Sequence, residues 1–493
     1  MSYTETEVLI VGAGILGAAT ARELSRYRVD VTLVEKNVDV GWGITKANVG
    51  VVNQGKDTLE FRPEYHRSHL LWRSLSMMEP LCAELDVPFR KVGGWEMCWD
   101  MEMKGKLDKL ARRTESLGLG KDCFYWYPEL KEMEPNVSPR ILGGLHDPDI
   151  AVVNPVYLTQ ALVENACRNG VHLMLDTEVL DIRPGHRHFE VTTTRGEFRA
   201  RYVVNAAGER VDKVAAMVDA DDFVLFPVKG YVGVLDRRCE GLVNGLVSVL
   251  PEEPGDMNIV VPTVEGNLLF GIQLQINRRG DHSTTERMAR KALENARRLV
   301  PDISESDVIN AFCGYLMLRN YEIGWHECEV GMSRRVPRFI NMTIGYPGVS
   351  ASPGAATEAV EILRKDGLKL EPNPKFDPRR RGIPDFSRLS DGERRELIRK
   401  DSRYGHVVCR CETVTEGEIV EAIRRGATTL DGVKHRVRAG MGRCQGGFCG
   451  PRVTRILARE LGIPESEVTK KGGDSTHLSF RVKEILEEGR DDG

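Results

Sequence analysis

Residues 8–36 read VLIVGAGILGAATARELSRYRVDVTLVEK. The apolar run 8–11 predicts a buried parallel strand. Gly12, Gly14 and Gly17 follow in the spacing G-x-G-x-x-G, and a helical pattern then puts Ala18, Ala21 and Leu24 on one face. A second strand, residues 31–34, ends in Glu35. Gly12 suits the tight turn, Gly14 the close approach of backbone to a pyrophosphate, and Gly17 close helix–strand packing. The unsatisfied N–H groups at the helix start favour phosphate charge. Glu35 stands 18 positions beyond Gly17, where a carboxylate accepts hydrogen bonds from an adenosine ribose. That carboxylate disfavours a 2′-phosphate, so the unit suits FAD or NAD better than NADP.

The rest of the chain is ordinary in bulk. It has 493 residues, 41% apolar and 29% charged, with a formal net charge of −4. This length suggests two or three domains, and the charge gives no case for a nucleic-acid surface. The opening MSYTETEV has neither the basic nor the apolar region of a signal peptide. No apolar run reaches the length of a bilayer span. The expectation is a cytoplasmic protein, with peripheral attachment to the inner face of the membrane left open.

Beyond the opening unit, residues 41–55, GWGITKANVGVVNQG, have the small polar composition of a loop pressed against a ligand. Residues 62–87 predict a helix with Leu70, Leu71, Leu75, Met78 and Leu81 inward, and residues 100–117 another. A helix over 156–168 is followed by strands at 171–175 and 178–182. His186 and His188 fall in a turn and lack a third metal ligand in register. VVNAAG, residues 203–208, reads as a nucleotide-type strand ending in small side chains. Several short strands within 223–275 predict an antiparallel sheet. A helix over 284–300 follows, and residues 314–325 interrupt the pattern. Residues 339–367 form a second glycine-rich strand–turn–helix, with Gly345, Gly348 and Ser350 before a helix expected from Gly354 to Lys365. Its N-terminus could place positive potential near a flavin ring. Residues 368–388, rich in proline and carrying Arg379, Arg380 and Arg381, read as a solvated linker.

Seven of the eleven cysteines are scattered, as buried thiols are; four are not. Cys409-x-Cys411 is followed, after 32 residues, by Cys444-x4-Cys449. Thr415 and Glu418 between them form a capping box. Four thiolates suit tetrahedral zinc or an iron–sulfur cluster. The C-x-C pair is unusual for a zinc ribbon, and glycines in GMGRCQGGFCGP let backbone N–H groups approach cluster sulfides, so the residues favour [2Fe–2S].

With these motifs in hand, residues 1–365 resemble the D-amino-acid-oxidase-like FAD-dependent oxidoreductases. VCRCETVTEGEIVEAI (408–423) and DGVKHRVRAGMGRCQGGFCGPRV (431–453) resemble the bacterioferritin-associated-ferredoxin-type [2Fe–2S] domain. The fusion is similar to the anaerobic glycerol-3-phosphate dehydrogenase flavoprotein subunits. The resemblance implies an α/β fold: a Rossmann-like FAD-binding domain (1–80, 150–225 and 335–367) with an inserted antiparallel-sheet substrate domain (81–149 and 226–334). A linker (368–400), a small helical [2Fe–2S] domain (401–470) and a tail (471–493) complete it. The implied FAD contacts are Gly12, Gly14, Gly17, Glu35, Lys36, Thr45, Asn48, Val179, Ala207, Gly208, Gly348 and Ser350. The implied cluster ligands are Cys409, Cys411, Cys444 and Cys449.

Asn53 stands where such relatives usually carry histidine, and Tyr231 where an acid usually follows Lys-Gly. GNLLFGIQLQI lacks the usual Gly-Pro, and FCGYLMLRN replaces the common G-x-R. Arg319, then Lys229, are the candidate cations for an anionic substrate, and Tyr231 and Asn53 the candidates to orient it. The implied function is an FAD-dependent dehydrogenase that oxidises a small anionic substrate at a C–OH, glycerol 3-phosphate or a 2-hydroxy acid. It would pass electrons through the [2Fe–2S] cluster to a partner subunit or quinone-linked complex, in a hetero-oligomer. The rivals are a hydroxyproline- or opine-type amino or imino acid dehydrogenase, and a non-catalytic electron-transfer subunit.

Overall fold

Strand β1 (Thr4–Val11) pairs in parallel with β2 (Val31–Val34) on one side and β3 (Gly196–Asn205) on the other. Val8, Leu9 and Ile10 are fully buried, as a central parallel strand covered on both faces must be. The computed structural model describes residues 3–53, 66–116, 123–250, 256–322 and 325–479. These fall into two units, 1–36 with 40–380, and 37–39 with 381–493.

The first unit holds two sheets. The eight-stranded sheet runs Val179–Pro184, Phe189–Thr193, β3, β1, β2, His172–Met174; β4 (Phe339–Thr343) joins the end of β3 in parallel, and Glu329–Met332 joins β4. Helix α1 (Ile15–Leu24) returns from β1 with Ala18, Ala21 and Leu24 fully buried. The helix Pro155–Arg168 begins where Asn154 accepts from the amides of Val156 and Tyr157. The second sheet has ten strands, built around Val308–Glu322, Leu225–Leu235, Leu268–Gln273 and Asp256–Pro262. One pair in it is parallel, Leu246–Val249 with Gly94–Cys98. The helix Glu286–Leu299 covers one face through Met288, Ala292 and Ala296.

Three local readings change. The described residues of 314–325 do not interrupt the sheet. Most of them belong to the 15-residue strand Val308–Glu322, whose alternation is hidden because apolar side chains occupy both faces. Helix α2 (Gly348–Lys365) starts six residues before Gly354 and runs through Pro353. The Ser352 hydroxyl donates to the Val349 carbonyl at 2.9 Å, replacing the amide that proline lacks. The arginine triplet is not simply solvated: Arg380 is buried and its Nε pairs with Glu164 at 2.5 Å. The preceding stretch is tied to the first unit. The Arg28 amide donates to Glu371, the Asn373 amide to Arg26 and the Asn165 side chain to Asp377.

In the second unit, helices Asp391–Lys400, Glu416–Arg424, Leu430–Val437 and Gly450–Leu461 accompany a short hairpin, Val407–Cys409 with Val414–Thr415. Ile419, Val420, Val433, Val453 and Leu457 form its core. The expected capping box is present. Thr415 and Glu418 satisfy each other's amides, and the Glu418 carboxylate also accepts from the Phe386 amide at 3.1 Å. Burial pushes the Glu418 carboxyl up to about 7 despite these donors. Arg436 is bidentate to Asp39 within this unit.

Candidate functional site

The turn after β1 is built as a dinucleotide cradle. Gly12 has φ +101°, and a Cβ there would lie 2.6 Å from the Ala206 carbonyl oxygen. A Cβ at Gly17 would lie 1.9 Å from the Gly12 oxygen, so no side chain fits between strand and helix. At Gly14 the nearest protein atom would be Thr45 Oγ1 at 3.4 Å, which leaves the backbone open to close approach. No side chain caps α1. Its start is ordered instead from two other segments: the Ala13 amide donates to Glu35 Oε2 (2.8 Å) and the Ile15 amide to Thr45 Oγ1 (3.1 Å). Glu35 and Thr45 are both buried. A helix N-terminus, a buried acid beside it and a side-chain-free turn are the surroundings that a dinucleotide requires.

The remaining candidate contacts surround this turn to different degrees. Lys36 Nζ lies 3.8 Å from Glu209, just past β3. Ala207 and Gly208 form the exit from β3, with Gly208 exposed. Val179 is buried in its own strand. Asn48 holds the loop by accepting from the Gly50 amide at 2.8 Å.

Residues 47–53 and the turn into α2 converge. The Asn53 amide donates to Ser350 Oγ (3.2 Å), and Ser350 Oγ donates to the Val51 carbonyl (3.3 Å). Asn53 Nδ2 donates to the hydroxyl of Tyr346 at 3.2 Å. Tyr346 escapes a reading of the sequence because a tyrosine beside Gly345 carries no motif; only its place between β4 and α2 marks it. Gly345 is required where it stands, since a Cβ there would meet the Met317 carbonyl at 2.2 Å.

This convergence meets one face of the second sheet. Val232, Val234 and Phe312 pack with Val49 and Val51, and a Cβ at Gly314 would lie 3.8 Å from the Ala47 oxygen. Side chains alternate along a strand, so Lys229, Tyr231 and Arg319 lie on the opposite face. Tyr231 is buried near Phe270, in the cluster that includes Met288 and Ala292, and burial raises its phenol. Lys229 is buried and donates to Asp281 Oδ2 (2.7 Å), the Ser283 carbonyl (3.0 Å) and Ser283 Oγ (3.3 Å). The hydrogen bond from Lys229 holds the Asp281 carboxyl well below the usual range. Arg319 pairs with Glu327 (3.0 Å) and Glu329 and donates to Thr343 (3.0 Å). Both cations are thus engaged by protein groups, and only Asn53 of the four stands at the loop convergence.

The four cysteines come together as two pairs. Cys411 Sγ lies 3.6 Å from Cys444 Sγ, and Cys409 is hydrogen-bonded to Cys449. Cys409 falls to about 6, through the bond from Cys449 and the amides of Gly440 and Glu412, with burial opposing. Cys449 rises, first through the same hydrogen bond with Cys409 and then through burial. The amide of Phe448 lowers Cys444, with help from Cys411 and the amide of Gly446. Backbone donors thus favour negative sulfur at Cys409 and Cys444, one in each pair, while Cys411 and Cys449 rise beside them. The glycines at 440 and 446 supply two of those donors.

The FAD dependent oxidoreductase family matches residues 7–362, and the BFD-like [2Fe-2S] binding domain matches residues 407–459. A glycerol 3-phosphate dehydrogenase of Caloramator mitchellensis is 38% identical over 97% of this chain and 99% of its own length. An anaerobic glycerol-3-phosphate dehydrogenase subunit from Escherichia coli K12 is 25% identical, covering 92% of this chain and 88% of its own. An FAD-bound L-α-glycerophosphate oxidase from Mycoplasma pneumoniae has the same fold over 77% of this chain and 98% of that one, with TM-score 0.71 and 24% identity. The cofactors are FAD and a [2Fe–2S] cluster; the α1 cradle suits the first, and the four cysteines are sulfur donors of the kind that the second takes. Among the described residues no helix is long and apolar enough to cross a membrane. The chain belongs to the FAD-dependent oxidoreductase family and carries a BFD-like [2Fe–2S] domain at its C-terminal end.

Proposed function

We propose that this protein is a glycerol 3-phosphate dehydrogenase that oxidises the secondary alcohol of its substrate and passes the electrons to a partner subunit or a quinone-linked complex. One observation carries the reading: the 38% identity to the dehydrogenase of Caloramator mitchellensis spans both cofactor domains. A glycerol 3-phosphate oxidase of Mycoplasma pneumoniae covers only 75% of this chain with 97% of its own length. The additional length here includes the means to send electrons elsewhere than to oxygen.

When bound, FAD supplies a two-electron acceptor and the [2Fe–2S] cluster a one-electron relay. Gly12, Gly14 and Gly17 admit the dinucleotide, Glu35 receives its ribose hydroxyls, and Thr45 fixes the loop against α1. Asn53, Ser350 and Tyr346 lock residues 51–53 to the start of α2 and the turn before it, which makes this wall of the site rigid. Cys409, Cys411, Cys444 and Cys449 hold the cluster. Oxidation removes one C–H and one O–H from the alcohol, two electrons in all, which then leave singly. The assembly is a hetero-oligomer, attached to a membrane only through its partner.

Anaerobic visible spectroscopy of the purified protein tests this. Glycerol 3-phosphate should bleach the flavin band, whereas 2-hydroxy acids, amino acids, hydroxyprolines and opines should not. Bleaching by an amino or imino acid instead would reassign the substrate, and no bleaching by any compound would favour a non-catalytic electron-transfer subunit. Cys444→Ser should leave flavin bleaching intact and abolish onward transfer.

A further inference from the structure

The four cysteines differ sharply in access. Cys409 and Cys449 are each 1% exposed, whereas Cys411 and Cys444 are open to solvent. A group held by all four is therefore approached from the Cys411–Cys444 side. Beside that side stands Phe448, 43% exposed, an unusual place for an aromatic ring. The guanidinium carbons of Arg410 and Arg452 lie 4.7 and 4.5 Å from its centroid. Arg443, exposed, directly precedes Cys444. Among the described residues neither Arg410 nor Arg452 has an ion-pair partner, and residues 439–458 contain no Asp or Glu. The nearby acid Glu412 is buried and bound by Arg438. A chain of net charge −4 thus carries a local basic patch at the open side of its cysteine site.

We propose that this patch, Arg410 and Arg452 around Phe448 with Arg443 next to Cys444, is the docking surface for an acidic, one-electron-accepting redox protein. The inference rests on the relay reading of the cluster. Arginine and an exposed aromatic ring are the residue types enriched at protein interfaces, and a ring held between two arginines is already ordered before binding. Local positive charge draws an acidic partner and orients it with its own redox centre toward Cys411 and Cys444. Electron transfer needs that proximity, and the buried cysteine pair cannot offer it. In the step itself one electron leaves the reduced cluster and one enters the acceptor; no bond forms or breaks.

The test uses the holoprotein and two probes, an acidic plant-type ferredoxin and basic cytochrome c. Calorimetry on the oxidised proteins should show binding of ferredoxin that weakens about ten-fold or more between low and high salt, and no binding of cytochrome c. Stopped-flow mixing of the reduced holoprotein with oxidised ferredoxin should show the same salt dependence in cluster reoxidation. The variant R410Q/R443Q/R452Q should lose ferredoxin binding while its cluster absorption and substrate-driven flavin bleaching stay at wild-type level. Salt-insensitive binding, equal binding of both probes, or full binding by the intact triple variant would each overturn the proposal. Flavin bleaching is read separately, so failure of the dehydrogenase reading is not mistaken for failure of the docking surface. A variant that has lost its cluster is replaced by F448S, for which the same loss of binding is expected.

Discussion

The amide of Asn53 donates to the hydroxyl of Ser350 at 3.2 Å across 297 positions of sequence. Through that bond and the Val51 carbonyl, one hydroxyl joins the loop after β2 to the first turn of α2. Ser350→Ala should break both links at a cost of about 1 kcal/mol each. The expected outcome is faster loss of FAD on dilution, read by recovery of flavin fluorescence, with unchanged far-UV circular dichroism. Unaltered FAD release would mean that the hydroxyl only fills space.

Gly17→Val places carbon against the Gly12 carbonyl, where even a Cβ would sit at 1.9 Å. Strand and helix must separate, distorting the phosphate turn. The protein should purify without yellow colour while its cysteine domain still takes up iron and sulfide. Retention of stoichiometric FAD would contradict the assigned cradle.

Arg319 and its carboxylates make a sharp case. Arg319→Ala removes a buried guanidinium from two carboxylates, Glu327 and Glu329, that are each about a third exposed, and losing such charge-assisted hydrogen bonds costs about 1.5–3 kcal/mol. The melting temperature should fall by several degrees. Should the melting temperature hold while KM for glycerol 3-phosphate rises sharply, Arg319 is a substrate residue after all.

The two faces of the paired strands Leu225–Leu235 and Val308–Glu322 should also separate in kinetics. Tyr231→Phe keeps the ring in its cluster near Phe270 and should change flavin reduction by less than about two-fold, within the small effect of one neutral hydroxyl. Gly314→Leu puts bulk where the Ala47 carbonyl approaches and should slow it at least ten-fold. Rapid-reaction measurement of flavin bleaching decides between them.

Glu418 predicts a pH dependence. Its carboxyl is raised to about 7 in the folded domain, so the folded state binds its proton more tightly than the unfolded chain does. Stability from this group is fully present below the ordinary carboxyl range and is lost as pH rises through 7. Amide exchange in the helix Glu416–Arg424, corrected for intrinsic rates, should report greater protection at pH 5.5 than at pH 8. Glu418→Gln should flatten that difference.

Much of this protein is local in origin, and local features can be read from sequence. The turn at Gly12, Gly14 and Gly17 needs residues without side chains at fixed spacing, and Glu35 needs only to end the next strand. Cys409, Cys411, Cys444 and Cys449 likewise declare themselves by chemistry and spacing, and Thr415 and Glu418 by a cap that closes within four residues. Three things needed the tertiary structure. Which side chains of the inserted strands face residues 47–51 depends on a register set by distant segments, and a single-residue step inverts it. Lys229, Tyr231 and Arg319 looked available because their partners, Asp281, Phe270 and Glu329, lie on other loops and strands. The unequal exposure of the two cysteine pairs arises from helices packed over Cys409 and Cys449, since burial belongs to the assembled core and not to any one stretch of chain.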